Sequence, residues 1–349
     1  LLNHKEKIEI ANNHLKNLEI ILNEIKELKS LPIENMYTLD CNKSHRVCFD
    51  CIKRSVQPAF EQRKLPRCPF GNECGHTLTL LEVTQIFGKH SKYCGIYEEL
   101  ELENEFRRAL REEEFDYFLQ PVIKLNDDST LYKEMYIRWS HPAYGKIARE
   151  QFRQVAEHSG LTLDLDLFQL TKACELLNHY KNTDDPINKI AVNVSINHLL
   201  QASMINQMIN VIETSGITPS QLVFEFDEND LNRRSQFILP AIKKLKRAGV
   251  TLVLDNFGSG LASLSYLFAY PFDFIKIDHR FVKSLPRSQR NLKLIQSVML
   301  ISEHLKFQVI AEGVDSQAQL DALNEIECIY GQGKVLKHAK VLDMTSLAS

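Results

Sequence analysis

Two groups of side chains in this chain are of types that carry out chemistry. The first combines thiols with an imidazole in the spacing Cys41-x3-His45-x2-Cys48-x2-Cys51, followed by Cys68-x5-Cys74. A histidine among paired thiols is typical of zinc binding, whereas a small oxidised domain and chance clustering are the alternatives. The spacing predicts a zinc module in a reducing compartment, and His76, just after Cys74, is a further candidate ligand.

The second group consists of polar residues that follow short apolar runs. Its members are Glu134, Asn193, Glu225, Asp255, Asn256, Lys276, Glu312 and Gln332. Several carboxylates together with one lysine indicate a site for divalent metal ions and a phosphate.

The apolar runs that precede these residues have the length and composition of β-strands. They are Tyr117–Ile123, Glu134–Trp139, Ile190–Ser195, Leu222–Phe226, Thr251–Leu254, Phe274–Ile277, Gln308–Ala311 and Ile329–Val335. Amphipathic helical stretches such as Leu165–Tyr180 and Arg234–Ala248 lie between them. This alternation predicts an α/β fold, a (β/α)8 barrel of the TIM type, in which the chemistry lies at the C-terminal ends of the strands.

The length of 349 residues leaves room beside a barrel of about 250 residues for a second domain. We predict an amphipathic helix over 1–30, a zinc module over 31–94, a helical connector over 95–114 and the barrel over 115–349. The first segment has an apolar stripe at Ile8, Ala11, Leu15, Leu18, Leu22 and Ile25. A coiled-coil homodimer and a helix packed on its own zinc module are both compatible with that stripe.

Charge and hydropathy narrow the classes of partner. The chain has 42 basic and 45 acidic residues, a balance that does not favour bulk nucleic acid or an anionic membrane. No apolar run approaches the roughly 20 residues that span a bilayer, and residues 1–30 are too charged for a signal peptide. We expect a cytoplasmic protein. The chain starts at Leu1 and not at Met, as a fragment of a longer protein would.

Residues 31–87 resemble a RING finger, most nearly the first RING of RING-between-RING ubiquitin ligases, through CNKSHRVCFDCIKRSVQPAFEQRKLPRCPFGNECGHTLTLLEV. The resemblance implies that the family's second zinc site is formed by Cys41, His45, Cys68 and Cys74. It implies that Cys48 and Cys51 are half of the first site, whose other half is replaced by Leu31-Pro32-Ile33-Glu34. Ile33 and Pro69 match the residues with which the family binds a ubiquitin-conjugating enzyme.

Residues 102–339 resemble an EAL domain, the bacterial fold that hydrolyses cyclic di-GMP. The resemblance lies in EMYIRWSHP, AVNVS, FEFDE, LDNFGSG, FIKID, AEGVD and YGQG, in that order. It implies that Mg²⁺ or Mn²⁺ is bound by Glu134, Asn193, Glu225 and Asp255. It also implies catalytic roles for Glu134, Lys276 and Glu312 in an active enzyme, and substrate contacts for Arg138, Tyr136 and Gln332.

The barrel also departs from the family pattern. Asn256 replaces the second aspartate of the family's Asp-Asp-Phe-Gly motif, which removes a negative charge where cations must be held. Met135 and Tyr136 replace the alanine and leucine of the Glu-Ala-Leu motif after which the family is named. The resemblance implies that they crowd a guanine pocket or replace its packing. These departures favour a degenerate barrel in which hydrolysis is lost or weak.

The two resemblances together suggest a bacterial effector that works in a eukaryotic host cytosol. In this hypothesis the RING-like module recruits a ubiquitin-conjugating enzyme, and the barrel presents a protein target or binds a nucleotide. One alternative is a protein that binds cyclic di-GMP, or hydrolyses it weakly, with a structural zinc finger. Another is a bacterial regulator that acts by protein binding alone.

Overall fold

A computed structural model describes residues 36–41, 44–70, 74–147, 149–183, 185–231, 235–259 and 264–342. The chain divides into two compact units between Glu105 and Phe106. The stripe predicted within residues 1–30 lies outside the described residues, so its two interpretations stay predictions. Among the described helices, none has the length and apolar character that crossing a bilayer requires.

The amino-terminal unit contains a short hairpin followed by helices. Strand β1, Met36–Thr38, pairs antiparallel with β2, Arg46–Cys48. Helices α1, α2 and α3 span Phe49–Glu61, Leu80–Phe87 and Lys92–Glu112. Helix α3 begins three residues before the connector predicted over 95–114 and ends two residues before the end of that range, and the division between the two units falls within it.

Helix α1 shows how local sequence builds this unit. The Sγ atom of Cys48 accepts a hydrogen bond from the backbone N–H of Cys51 at 3.2 Å, which caps the first turn of the helix. Ile52, Val56 and Phe60 recur every fourth residue and are buried. Because such residues lie on one face of a helix, α1 supplies one side of the small apolar core of the unit.

Besides the end of α3, the described residues of the second unit form ten strands and nine α-helices. The strands are β3 Phe115–Lys124, β4 Thr130–His141, β5 Gly145–Ile147, β6 Ile190–Asn193, β7 Leu222–Asp227, β8 Thr251–Phe257, β9 Phe274–Ile277, β10 Gln308–Glu312, β11 Tyr330–Gln332 and β12 Lys340–Leu342. The helices are α4 Arg149–His158, α5 Thr162–His179, α6 Ala202–Thr214, α7 Glu228–Leu231, α8 Ser235–Arg247, α9 Leu264–Ala269, α10 His279–Lys283, α11 Gln289–Leu305 and α12 Gln317–Glu325. Each of the eight predicted strand runs overlaps one of these strands.

The predicted barrel is confirmed. Eight strands close in the order β3-β4-β6-β7-β8-β9-β10-β11 and return to β3, while β5 and β12 extend the sheet beside the barrel. The first step differs from the predicted alternation of strand and helix, because β3 and β4 form a hairpin. A turn at residues 125–129 is too short for a crossover helix, so β3 runs antiparallel to both of its barrel neighbours.

A layer of apolar side chains fills the barrel interior. It is formed by Val122, Tyr132, Ala191, Val223, Val253, Phe274 and Ile310, one from each of seven strands, with Tyr330 of the eighth packed against it. Successive side chains of a strand point to opposite faces, so the next interior side chain lies two residues farther along. This apolar layer therefore supports the layer above it.

Candidate functional site

The layer above the apolar layer is polar, and it contains the residues that the sequence singled out. Glu134, Asn193, Glu225, Asp255, Lys276, Glu312 and Gln332 each lie two residues beyond the apolar-layer residue of their own strand. Seven of the eight side chains predicted for the barrel site are thus brought to one level of the barrel. Asn256, the eighth, is one residue past this level.

Lys276 is at the centre of the polar layer. Its Nζ donates to Glu134 Oε2 at 2.9 Å and to Glu225 Oε2 at 3.3 Å, and it lies 3.7 Å from Asp255 Oδ1. The lysine is 1% exposed. A buried ammonium group is stable only when it is paired, and here three strands supply the carboxylates that pair with it.

Glu134 is held as a carboxylate by its neighbours. Burial alone would raise its pKa, but the charges of Lys276 and Arg149 and a hydrogen bond from Gln332 outweigh burial and lower this pKa to about 2. Gln332 Nε2 donates to Glu134 Oε2 at 2.8 Å, and Asn193 Nδ2 donates to Oε1 at 3.1 Å. Both oxygens of Glu134 therefore carry negative charge and point at neighbours in the site.

The remaining carboxyl groups of the layer have raised pKa values. Burial, followed by the charge of Glu134, raises the pKa of Glu225 well above its ordinary value, and Tyr132 donates a hydrogen bond to Glu225 at 2.9 Å. Burial also raises the pKa of Asp255. Burial and the charges of Asp255 and Glu134 raise the pKa of Glu312 to about 7, although Lys276 acts in the opposite direction. More carboxyl groups are gathered here than one lysine neutralises.

The donor set of the layer fits a hard divalent cation. Glu312 Oε2 and Gln332 Oε1 are buried oxygens that have no hydrogen-bond partner among the described residues. Carboxylate and amide oxygens are the ligands of Mg²⁺ and Mn²⁺, and a cation would displace protons from groups with raised pKa values. The residues predicted to bind these metals thus supply the chemistry that such metals require.

Asn256 has a backbone conformation that suits its residue type. Its φ angle is +56°, in the left-handed region that asparagine and aspartate tolerate better than most residues. Its backbone N–H donates to Asp255 Oδ1 at 2.8 Å. Its side-chain Nδ2 donates to Asp227 Oδ2 at 2.8 Å and to Asp255 Oδ2 at 3.4 Å. The amide therefore joins two carboxylates of neighbouring strands.

The β3–β4 hairpin carries two of the three predicted substrate contacts on one face. Tyr136 stacks on Phe118 with the ring centroids 5.2 Å apart, and the Arg138 guanidinium lies 4.8 Å from the Phe118 ring. Tyr136 and Arg138 share the face of Glu134, because side chains two residues apart in a strand do. Met135 is fully buried and lies on the opposite face. Of the two replacements in the naming motif, only Tyr136 faces the site.

Gln120 belongs to the polar layer and was not among the predicted residues. It pairs in register with Glu134 across the β3–β4 hairpin, so the two side chains share a face. The residue comes two positions before the apolar-layer residue Val122, because β3 runs antiparallel to its barrel neighbours. A hairpin assignment for the first two strands would have revealed it.

The cysteine and histidine side chains of the amino-terminal unit form a second candidate site. One ligand atom from each of Cys41, His45, Cys68 and Cys74 lies within 4.8 Å of the others, a cluster that could hold a metal ion. His45 Nδ1 is 3.4 Å from both Cys41 Sγ and Cys68 Sγ. Burial, together with the neighbouring thiols of Cys74 and Cys41, raises the pKa of Cys68 to about 11. Three thiols so arranged favour a bound cation, which stabilises their thiolates.

The other predicted residues of this unit lie apart from the cluster. His76 Nε2 is 2.9 Å from Glu82 Oε2, so its ring contacts that carboxylate and is not a fifth member. Cys48 and Cys51 contact each other at the start of α1. Pro69 is half-buried, and Ile33 lies outside the described residues.

Comparison with known proteins identifies the second unit. A family model described as the EAL domain matches residues 103–339. The chain belongs to the EAL-domain family. The match does not extend to the residues that resemble a RING finger.

Two relatives act on cyclic di-GMP according to their names. The cyclic di-GMP phosphodiesterase NbdA of Pseudomonas aeruginosa is 32% identical over 236 residues, which are 68% of this chain and 30% of that protein. The bifunctional diguanylate cyclase/cyclic di-GMP phosphodiesterase MucR of the same species is 28% identical over 250 residues, 72% of this chain and 36% of that protein. The chain spans about a third of the length of these curated relatives.

Solved structures share the fold. The PaMucR phosphodiesterase in complex with c-di-GMP aligns with a TM-score of 0.64 at 27% identity, over 71% of this chain and 99% of that chain. The Xanthomonas citri FimX EAL domain in complex with c-di-GMP aligns with a TM-score of 0.65 at 17% identity, over 72% of this chain and 98% of that chain. The second likeness concerns the fold alone.

Proposed function

We propose that the C-terminal end of the barrel binds cyclic di-GMP. The observation that carries this proposal is the polar layer, in which Lys276 joins Glu134, Glu225 and Asp255. Beside them, oxygens of Glu312 and Gln332 have no hydrogen-bond partner in the described part of the chain. A cationic centre within a ring of metal-type ligands suits a phosphodiester with its cations. The EAL family and relatives that are cyclic di-GMP phosphodiesterases support this choice of ligand.

The β3–β4 hairpin supplies the contacts for the rest of the nucleotide. Tyr136, stacked on Phe118, offers an aromatic face to a guanine base, and such stacking contributes about 1–3 kcal/mol per base. Arg138 is exposed beside it, and its planar guanidinium can hold a phosphate by two parallel hydrogen bonds. Both residues lie on the face of Glu134, so one ligand can reach the hairpin and the polar layer together.

Glu134, Asn193, Glu225 and Asp255 would hold the divalent cation, with Glu312 beside them. When bound, Mg²⁺ or Mn²⁺ activates water and neutralises charge on the phosphodiester. Lys276 would lie beside that water, and its charge keeps Glu134 ionised. Asn256 places no charge at its position, so we propose that hydrolysis is slow compared with binding. Weak phosphodiesterase activity is the second candidate function, and the intact contacts of Lys276 favour it.

Calorimetry with cyclic di-GMP tests this function on the full chain. Binding is measured first with Ca²⁺, to limit turnover, and then with Mn²⁺. Chromatography of the Mn²⁺ sample detects any linear dinucleotide formed by hydrolysis. We expect binding that Arg138→Ala weakens at least tenfold and that Glu134→Gln makes insensitive to metal. Arg287→Ala, on an exposed arginine outside the polar layer, is the matched control. Wild-type protein that binds no cyclic di-GMP with either metal would overturn the proposal.

For the amino-terminal unit we propose one zinc ion held by Cys41, His45, Cys68 and Cys74. Three sulfurs and one imidazole nitrogen are a frequent ligand set of structural zinc. The burial of Cys41 and Cys68 supports a structural role, because a buried metal substitutes for part of a core in a small unit.

Ubiquitin ligation by this unit, within a host cell, is a separate hypothesis that rests on the RING resemblance. Ubiquitination assays with a panel of conjugating enzymes test it. Pro69→Ala and Ile33→Ala should reduce product while the bound zinc is retained. Absence of product with every enzyme of the panel would leave the unit a structural role.

A further inference from the structure

Asp227 is a carboxylate beside the barrel site to which none of the preceding roles applies. It ends β7 and pairs in register with Asp255 of β8. Its Oδ2 accepts from Asn256 Nδ2 at 2.8 Å, and its Oδ1 accepts from the backbone N–H of Asn229 at 2.8 Å. Both donors are neutral, and no lysine, arginine or histidine of the described residues forms an ion pair with Asp227. Within the described part of the chain, its negative charge is therefore uncompensated.

The same amide contacts Asp255. Asn256 Nδ2 is 3.4 Å from Asp255 Oδ2, so Asp227, Asn256 and Asp255 form a continuous row across two strands. An aspartate at 256 would place a third negative charge between two carboxylates. With asparagine there, the row keeps two charges and the amide donates to both. The charge expected at 256 is in effect located one strand away, at 227.

The total charge of the site indicates what the Asp227 carboxylate can contribute. Glu134, Glu225, Asp255 and Glu312 with Lys276 leave a net formal charge that is one short of balancing two divalent cations. Asp227 supplies that charge. Its side chain is only half-buried, so it is not sealed off from a cation.

We propose that Asp227 provides the carboxylate for a second divalent cation beside Asp255, in the role that residue 256 leaves open. The proposal rests on the cation-dependent nucleotide site proposed above and adds a residue to it. The site then retains the charge for two cations despite Asn256.

Exchanging the two side chains tests this idea without altering volume or net charge. Mn²⁺ binding is measured by electron paramagnetic resonance on the full chain with zinc bound and without nucleotide. We expect two Mn²⁺ ions per wild-type chain. Asp227→Asn should weaken the second ion about tenfold or more, the range found when a supporting ligand is lost. The double variant Asp227→Asn/Asn256→Asp should restore it to within about threefold of the wild type.

Asp230→Asn is the matched control, because it removes the same charge from the neighbouring helix α7 and should leave both ions bound. Thermal unfolding of each variant verifies that the isosteric changes leave the fold intact. The proposal is overturned if Asp227→Asn binds Mn²⁺ like the wild type, if the exchange fails to restore binding, or if the wild type binds one ion. Cyclic di-GMP binding by the wild type is measured separately, so failure here and failure of the proposed function are distinguishable.

Discussion

The two candidate sites of this chain gather ionisable side chains in opposite ways. The polar layer of the barrel contains its own counter-ion, because Lys276 pairs with Glu134, Glu225 and Asp255. The lysine is only 1% exposed. The amino-terminal cluster brings together three thiols and one imidazole, and none of these four groups is a permanent cation. The barrel site can therefore persist without metal, whereas the thiolates of the cluster would need the proposed metal to stabilise them.

The packing around the two sites also makes the barrel site less dependent on metal than the cluster. The polar layer lies on an apolar layer to which seven strands contribute, inside a closed barrel. The cluster is part of the small core of a unit with one two-stranded hairpin, and two of its members, Cys41 and Cys68, are themselves core residues. Small cores contribute little stability, so the proposed metal would supply a larger share of the stability of the amino-terminal unit. The contrast suggests that metal supports folding in one unit and ligand binding in the other.

The largest expected effect is the loss of the amino-terminal metal. Cys41→Ser removes one of four ligands, and structural zinc contributes about 10–16 kcal/mol to small metal-dependent folds. Zinc measured by mass spectrometry should fall from about one ion per chain to nearly none. Trp139, the single tryptophan, is fully buried in the barrel and should keep its fluorescence. Cys94→Ser, at a buried thiol outside the cluster, is the control, and zinc retained by Cys41→Ser would break the contrast.

A second test removes the internal counter-ion of the barrel. Lys276→Met leaves buried carboxylates without a partner, and breaking such a pair costs about 3–5 kcal/mol. Urea unfolding followed by Trp139 fluorescence should show that loss, while the zinc content stays unchanged. Lys283→Met, on an exposed lysine, should have almost no effect. A loss below about 1 kcal/mol for Lys276→Met would contradict the role of the lysine as counter-ion.

A third test uses pH. The pKa of Glu312 is raised to about 7 from an ordinary 4.5, mainly by burial, so the folded barrel binds a proton that the unfolded chain has released. Stability therefore falls as pH rises from about 4.5 to 7. Glu312→Gln should stabilise the barrel by about 2 kcal/mol at pH 8 and hardly at pH 4.5, in urea titrations with chelator. An equal gain at both pH values would show that charge is not the cause.

The smallest effect concerns a helix cap of the amino-terminal unit. Thr79 Oγ1 accepts from the backbone N–H of Glu82 at 3.3 Å, and Glu82 accepts in return from the backbone N–H of Thr79 at 2.8 Å. Thr79→Ala should lower the free energy of unfolding of the amino-terminal unit by about 1 kcal/mol. Zinc should then be released at a lower guanidinium concentration, while the transition monitored by Trp139 fluorescence stays at the same concentration. Ser55→Ala, at an exposed position of α1, is the control. A shifted Trp139 transition would mean that the two units do not unfold independently.

Much of the barrel could be predicted from local sequence. Each strand is a short apolar run with a polar residue near its end, and both features are visible without knowledge of the rest of the chain. Glu225 is an example, since Leu222–Phe226 is continuous and apolar apart from this one carboxylate. The first connection was predicted wrongly as a strand-helix-strand unit. The apolar pattern of β3 and β4 does not reveal that their five-residue turn reverses the chain.

For the amino-terminal cluster, the identity of the residues could be predicted better than the contacts that they make. The resemblance to a RING finger selected Cys41, His45, Cys68 and Cys74, and the fold gathers these four side chains. His76 was a further candidate because it follows Cys74 closely, but its ring contacts Glu82. That preference depends on where α2 begins, which the cysteine spacing does not specify.

The sequence by itself determined the residue types, the eight strands and the periodicity that turns one side chain of each strand inward. Only the tertiary structure decided that Lys276 contacts Glu134, that Gln120 shares its layer, and that Asp227 adjoins Asn256. These contacts join residues separated by up to 142 positions in the chain. Strand order and register bring them together, and both arise from packing of the whole barrel and not from any local run of residues.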